Sequence, residues 1–301
     1  MLSHEKIVEC VPNFSEGRDS AKMERIVDCF RNMEDVKLLD YSNDVSHNRM
    51  VVTAIGSPEA MKKAMVNAIG TAIREIDLTV HRGEHPRMGS ADVVPFIPIR
   101  NMTMDEAVQL ARDVSQEVAK AYDLPVYLYE KAASAPHREN LAEVRKGQFE
   151  GLALKMQDTL WKPDFGPSTP HPTAGASIIG ARNFLIAWNI NLNTDNVAIA
   201  QSIAKKIRFS SGGFPCVKAL GMYLADKGQA QVSMNLTDFT QTSMRQVFDA
   251  ILEETAARGV SIACSEVIGM LPEAALADTT AQELLIKDFS KNKILENNLP
   301  E

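Results

Sequence analysis

The stretch "HRGEHPRMGSADVVPFIPIR" at residues 81–100 can be folded in two ways, and the choice decides the architecture. Its first five residues fit H-x-x-E-H, the inverted zinc-peptidase pattern in which two histidines ligate zinc and a glutamate activates water. That pattern needs a helix, which sets residues four apart on one face. Gly83 in the middle costs a helix about 1 kcal/mol against a better former. Pro86 is worse, because it pushes His85 out of helical geometry into an extended one. The flanks carry no helical period, and no third ligand with a supporting pattern follows. The stretch therefore reads as a loop feeding a strand, "DVVPFIPIR", whose Pro95 and Pro98 suit an edge or a strand end.

With a strand there, the elements before it fall into order. "KIVECVPNF" is a β-branched apolar run closed by turn formers, and it reads as a strand. From Ser20 the apolar residues Met23, Ile26, Val27, Phe30 and Met33 recur at helical spacing. "VKLLDYSND" and "RMVVTAIG" are two further strands. Ser57-Pro58-Glu59 starts a helix with a capping hydroxyl, a proline preset for the first turn and an acid near the positive end. Beyond the opening stretch, Thr103-Met-Asp-Glu106 is a capping box before another helix, and "PVYLYE" is a last strand. The order is β-α-β-β-α-β with a helix and strand appended, the ferredoxin-like pattern.

"WKPDFGPSTPHPTAGASIIGAR" at 161–182 breaks the rhythm with prolines and glycines and no regular period, so it reads as a joining segment or a functional loop. After it the same order returns. "FLIAWNINL" is a strand, Thr194 caps a helix, "VKALGMYLAD" and "AQVSMNLTDF" form a hairpin around Lys227-Gly228, and a helix from Met244 ends at Gly259. "VSIACSEVIGM" is the final strand, with helical residues expected on to Leu299. The expected fold class is α/β (α+β): two ferredoxin-like α/β-sandwich subdomains with a cleft between them. Residues 1–165 form the first subdomain, 166–182 the joining loop and 183–301 the second. Clefts between domains favour ligands.

The 301 residues are 45% hydrophobic and 24% charged, with a net charge of −7. That balance is ordinary for a globular protein and argues against nucleic-acid or anionic-membrane partners, which need concentrated positive charge. No signal peptide and no membrane-spanning run are indicated, and Cys10, Cys29, Cys216 and Cys264 read as reduced small hydrophobes. A cytoplasmic setting is expected. Cys216, near Lys218, is the one cysteine with a basic neighbour, and it is not taken as catalytic.

A loop at 81–89 still has unusual content. A rigid loop presenting imidazoles beside guanidiniums suits proton transfer on an anionic substrate, since histidine titrates near neutrality and arginine clasps carboxylates. A solvated polar turn would have the same composition, and the residues alone leave the two readings level.

"IVECVPNFSEG" (7–17), "HRGEHPRMG" (81–89), "DVVPFIP" (92–98), "PVYLYE" (125–130), "DFGPS" (164–168) and "AQVSMNL" (230–236) together resemble the glutamate formimidoyltransferase family, over almost the whole chain. Mammalian members carry this domain fused to a cyclodeaminase, and the ending "KILENNLPE" makes the likeness one to the stand-alone bacterial form. The resemblance implies formimino transfer between N-formimino-L-glutamate and tetrahydrofolate in histidine breakdown, with folate as co-substrate, no metal, and small molecules as partners of a homodimer. It implies His85, in G-E-H-P-R, as the catalytic histidine, with Glu84, Arg87 and His81 supporting it. Arg49 and Asn48 of "SHNRM" are expected at the substrate. The family's folate-binding segment carries over to Gly166, Pro167, Ser168, Thr169, Pro170, His171, Pro172, Thr173, Ala174 and Gly175, with the middle of that run departing from the mammalian pattern. Ser42 likewise stands where the mammalian domain has an acid. Three other readings stay open: formyl transfer from 5-formyltetrahydrofolate to glutamate, a zinc metallopeptidase, and a non-catalytic folate-binding module.

Overall fold

The computed structural model describes residues 6–31, 33–225 and 227–299. The chain divides into two units, one running to Arg182 and one from Asn183 to Leu299.

In the first unit the elements are β1 (Ile7–Cys10), β2 (Asn13–Phe14), α1 (Ser20–Arg31), β3 (Val36–Asp44), β4 (Arg49–Gly56), α2 (Pro58–Glu75), β5 (Ala91–Arg100), α3 (Met104–Tyr122), β6 (Val126–Glu130), α4 (Leu141–Arg145), α5 (Gln148–Lys155) and β7 (Ser177–Ala181). β1 and β2 act as one interrupted strand, each pairing antiparallel with both β4 and β5. β3 adds outside β4, so the antiparallel part has the β-α-β-β-α-β connectivity expected. β7 and β6 then extend the sheet in parallel beyond β5.

The helix signals held. Ser57 Oγ accepts from Ala60 N, and Thr103 closes a reciprocal capping box with Glu106. Met23, Ile26, Val27 and Phe30 of α1, and Met61, Met65 and Ile69 of α2, bury one face of the sheet with Val8, Cys10 and Phe96. Burying each such side chain is worth about 1.5–3 kcal/mol. Tyr127, Tyr129, Val93 and Ile178 form a second, smaller cluster with Val144 and Leu152 from α4 and α5.

Two expectations in this unit are corrected. β5 is a central strand, not an edge, with β1 and β2 on one side and β7 on the other. Its prolines fit because the ladder is already broken beside them. Pro95 lies where β1 gives way to β2 across Val11 and Pro12, and Pro98 lies past the end of β7, which stops opposite Phe96. The stretch 166–182 is not loop throughout, since it ends in β7. "SIIGA" is buried at every position, so it shows no alternation by which to read a strand.

The second unit holds β8 (Ile186–Leu192), α6 (Val197–Ile207), β9 (Val217–Leu224), β10 (Gln229–Leu236), α7 (Met244–Ala256) and β11 (Ile262–Ile268). Its antiparallel sheet has the order β11-β8-β10-β9, the ferredoxin-like arrangement. Trp188, Ile190, Val232 and Met234 pack against Ile203, Val247 and Ile251. α6 is capped by Asn196, whose side chain accepts from Ala198 N, while the Thr194 hydroxyl accepts from Asn196 N one step earlier. The tail is not a helix. Short turns at Glu273–Leu276, Lys291–Lys293 and Glu296–Asn298 punctuate it, and Leu285 and Lys287 exchange backbone bonds with Ser265 of β11. The free edge of β11 takes those backbone groups in place of a helical ladder.

The four cysteines are unpaired. Among the described residues no helix is long and apolar enough to cross a membrane.

Candidate functional site

Residues 81–88 lie outside any helix, so the geometry that an H-x-x-E-H zinc site uses does not arise there. Among the described residues no group of three or more His, Cys, Asp or Glu side chains is placed to hold a metal ion.

The loop is pinned to the turn between β3 and β4. Glu84 N donates to Ser46 O at 3.2 Å, and Asn48 Nδ2 donates to Arg82 O at 3.0 Å. Asn48 Oδ1 accepts from Gly17 N at 2.9 Å, so this buried side chain ties three segments together. Its own backbone sits at φ 49°, a left-handed position that asparagine tolerates. Gly83 permits the contact: a Cβ there would lie 2.2 Å from His47 O.

From below, the loop is held by side chains. His81 Nδ1 accepts from Arg87 Nε at 3.2 Å, which puts the ring proton on Nε2, 3.0 Å from Asn48 O. Burial pushes the His81 imidazole below its ordinary value, so it serves as a neutral strut. Arg87, buried, grips Glu150 of α5 with two hydrogen bonds, 2.8 and 2.7 Å. Asp92 accepts from Met88 N and Gly89 N while Arg145 of α4 binds its other oxygen, 2.9 Å from Nε and 2.7 Å from Nη2. α4 and α5 thus clamp the loop's C-terminal end.

His85 emerges half-buried at the top of this frame. Its Nε2 lies 3.1 Å from Arg49 Nη1, which also donates to Asn13 Oδ1 at 3.2 Å. A guanidinium only donates, so Nε2 is the acceptor and the ring is neutral with its proton on Nδ1. Burial, then Arg49, then Arg145, push the His85 imidazole down to about 2. The His47 ring meets it edge-on, with centroids 6.3 Å apart, and His47 Nδ1 sits 3.0 Å from Asp44 Oδ2. The Arg49 Nε is buried with no partner among the described residues, and no carboxylate there forms an ion pair with Arg49. A neutral base beside a cation in no direct ion pair is an arrangement that attracts an anion and can exchange a proton with it.

The glycine-flanked segment joins the same frame. It starts at Gly166, beside the beginning of β6, held at φ 83° against Leu124 O, and closes on itself where His171 and Gly175 exchange two backbone bonds of 2.9 and 3.0 Å. His171 Nδ1 accepts from Ala174 N at 3.1 Å, so that ring too is neutral at Nδ1. Ser90 N donates to Ala174 O at 3.0 Å, Ala176 N to Met88 O at 3.2 Å, and Leu78 N to Thr173 O at 2.8 Å. The stretch from Leu78 to Ser90 is therefore stitched at both ends to residues 173–176. Ser168, Thr169 and Pro172 stay exposed, and Pro167 and Pro170 are half-buried.

The structure thus brings His85, Arg49 and His47 together. It sets His81, Arg87 and Asn48 beneath them as supports, and leaves the Glu84 side chain exposed with no bond to His85 among the described residues. Sequence reading missed Arg145, Asp92, Glu150 and Asn13. Asn140, which caps α4, was the one local signal on the missed helices.

Residues 7–182 match the N-terminal subdomain of the formiminotransferase domain, and residues 187–298 match the formiminotransferase domain. A glutamate formimidoyltransferase of Streptococcus pyogenes serotype M1 is 46% identical over 295 residues, covering 98% of this chain and 99% of the relative. One from Thermoplasma acidophilum is 44% identical, covering 97% of each. The formimidoyltransferase-cyclodeaminase of Rattus norvegicus is 40% identical over 92% of this chain and 52% of its own length.

Proposed function

The chain belongs to the formiminotransferase family, and we propose that it is a glutamate formimidoyltransferase that moves a formimino group between N-formimino-L-glutamate and tetrahydrofolate, with His85 as the proton carrier. The observation that carries this reading is the contact between Arg49 and a neutral His85 whose Nε2 is a lone-pair acceptor.

The chemistry needs a group of that kind. The folate amine attacks the formimino carbon, and as its C–N bond forms it must lose a proton. The C–N bond to glutamate then breaks, and the departing nitrogen must gain one. His85 Nε2 takes the first proton and returns it to the glutamate nitrogen, so the ring is unchanged over the cycle. Arg49 suits a glutamate carboxylate, which a guanidinium holds through two parallel hydrogen bonds. The stitching of Thr173–Ala176 to the His85 loop supports folate at Gly166–Gly175, next to the base. Arg87 and His81 hold the loop, and Asn48 holds the turn that carries Arg49. On this reading the step belongs to histidine breakdown in the cytoplasm, folate is the co-substrate with no metal, and the family's homodimer is the working assembly.

The decisive assay gives the purified protein tetrahydrofolate with N-formimino-L-glutamate or with N-formyl-L-glutamate and follows the folate product. Formation of 5-formiminotetrahydrofolate is expected. Turnover with the formyl donor alone would replace the formimino reading by a formyl one, and no turnover with either would defeat both.

A further inference from the structure

The next step rests on His85 being the base and concerns what controls it. Arg49 Nη1 points a hydrogen at His85 Nε2 across 3.1 Å, so the lone pair needed for catalysis is already engaged. Until that contact opens, an attacking amine cannot pass its proton to Nε2. The cations facing His85, Arg49 itself and Arg145 from α4, reinforce the block by opposing a further positive charge, and the His47 and His81 rings face it as well. The two nearby acids are committed elsewhere. Asp44 binds the backbone and ring of His47, and Asp92 binds Arg145 and the amides of Met88 and Gly89. Among the described residues no carboxylate forms an ion pair with Arg49, whose Nε is a buried N–H without a hydrogen-bond partner there.

We infer that Arg49 is a substrate-operated cap on His85: the glutamate carboxylate takes the guanidinium's donors, the bond to Nε2 opens, and the base becomes available only with the donor bound. The carboxylate has two oxygens to offer the Arg49 fork, including the Nε left without a partner among the described residues, whereas the imidazole offers one lone pair. The same anion adds negative charge beside the imidazole, which favours a protonated ring at the moment a proton must be held. An enzyme built this way keeps its base closed to water and to lone tetrahydrofolate.

The test follows the imidazole nitrogens of His85 by NMR in the full-length protein, with and without glutarate, a dicarboxylate that cannot react. Without glutarate, His85 is expected to stay neutral with a bare Nε2 at mildly acidic pH. Saturating glutarate is expected to raise its proton affinity at least about tenfold. In Arg49→Gln, His85 is expected to protonate more readily from the start and to show no further response to glutarate. Three results each overturn the cap: no saturable glutarate binding to the native protein, binding that leaves His85 unmoved, or a full response retained in Arg49→Gln. Turnover of the native protein is measured alongside. Its absence defeats the functional reading and leaves the coupling between anion and imidazole standing, whereas turnover without that coupling defeats the cap alone.

Discussion

Arg49 donates to His85 across 36 positions of sequence, and the contact fixes which ring nitrogen of His85 carries the lone pair. The contact is a side-chain one, and His85 is half-buried above its supporting frame. Its removal should therefore touch chemistry far more than folding. His85→Asn is expected to lower kcat by about 10²- to 10⁴-fold, the usual worth of a positioned acid–base group. Its urea-unfolding free energy should stay within about 1 kcal/mol of the native value. Native-like turnover in this variant would remove His85 from the mechanism while leaving the family membership intact.

Gly83 tests whether the loop must sit where it does. A methyl at this position meets His47 O at 2.2 Å and Asn48 Cβ at 2.8 Å, both on the turn that leads into Arg49. Relief requires the loop and the turn to part, which moves His85 relative to Arg49. Gly83→Ala is expected to lose about 10²-fold in kcat/KM, a typical price for a misplacement of about 1 Å at a reacting group. Steady-state kinetics beside a thermal melt would separate this from unfolding, since a loss of activity that tracks lost folded protein would refute the steric argument.

Beneath the loop, Arg87 and Glu150 should prove unequal. Arg87 is buried, whereas the Glu150 side chain is 60% exposed, so solvent screens the acid and the net worth of its charge is about 0.2–1 kcal/mol. Arg87→Ala also strips the donor from His81 Nδ1, and should cost about 1–3 kcal/mol. The pH dependence has a definite sign. The Arg87 hydrogen bonds hold the Glu150 carboxyl at about 2 against an ordinary 4.5. A depressed acid stabilises the fold fully above its unfolded value and loses that contribution as pH falls through the folded one. The gap between native protein and Glu150→Gln in urea titrations should be present at pH 7 and shrink at pH 3. An equal gap at both would show that the charge contributes nothing.

Local physics made most of the fold legible. The caps at Ser57 and Thr103 and the helical spacing through Met23, Ile26 and Phe30 are decided within a few residues, and those elements form where expected. What escaped is decided at long range. Pro95 is tolerated in a central strand only because β1 breaks opposite it, and Leu285 and Lys287 avoid a helix because β11 offers them an edge. The candidate site divides the same way. His85 and Arg49 stand in dense polar motifs, but Arg145 and Glu150 lie on two short helices 60 or more residues from His85, and become part of the site only through Asp92 and Arg87. The sequence around Arg87 suggests a support for His85, but nothing local to it reveals that Glu150 occupies both of its amino groups.

Glu9 offers a prediction in the opposite pH direction. It lies in β1 between Ile55 and Ile97, 2% exposed, on the face opposite Val8 and Cys10. Burial pushes its carboxyl up from 4.5 to about 7, with Arg182 partly opposing the rise. An acid whose folded value is raised holds its proton more tightly in the native state than in the unfolded chain. Its folded form is therefore favoured below about pH 4.5, and stability drains away as pH rises towards 7. Glu9→Gln keeps the size and a hydrogen-bonding head but cannot ionise. Relative to the native protein it should gain on the order of 2–3 kcal/mol between pH 4 and pH 8, each pKa unit being worth about 1.4 kcal/mol. Other groups titrate over that range in both proteins, so the quantity to measure is the difference between their urea-unfolding free energies at the two pH values. A difference that does not change with pH would mean that Glu9 is already ionised in the fold and that Arg182 outweighs burial.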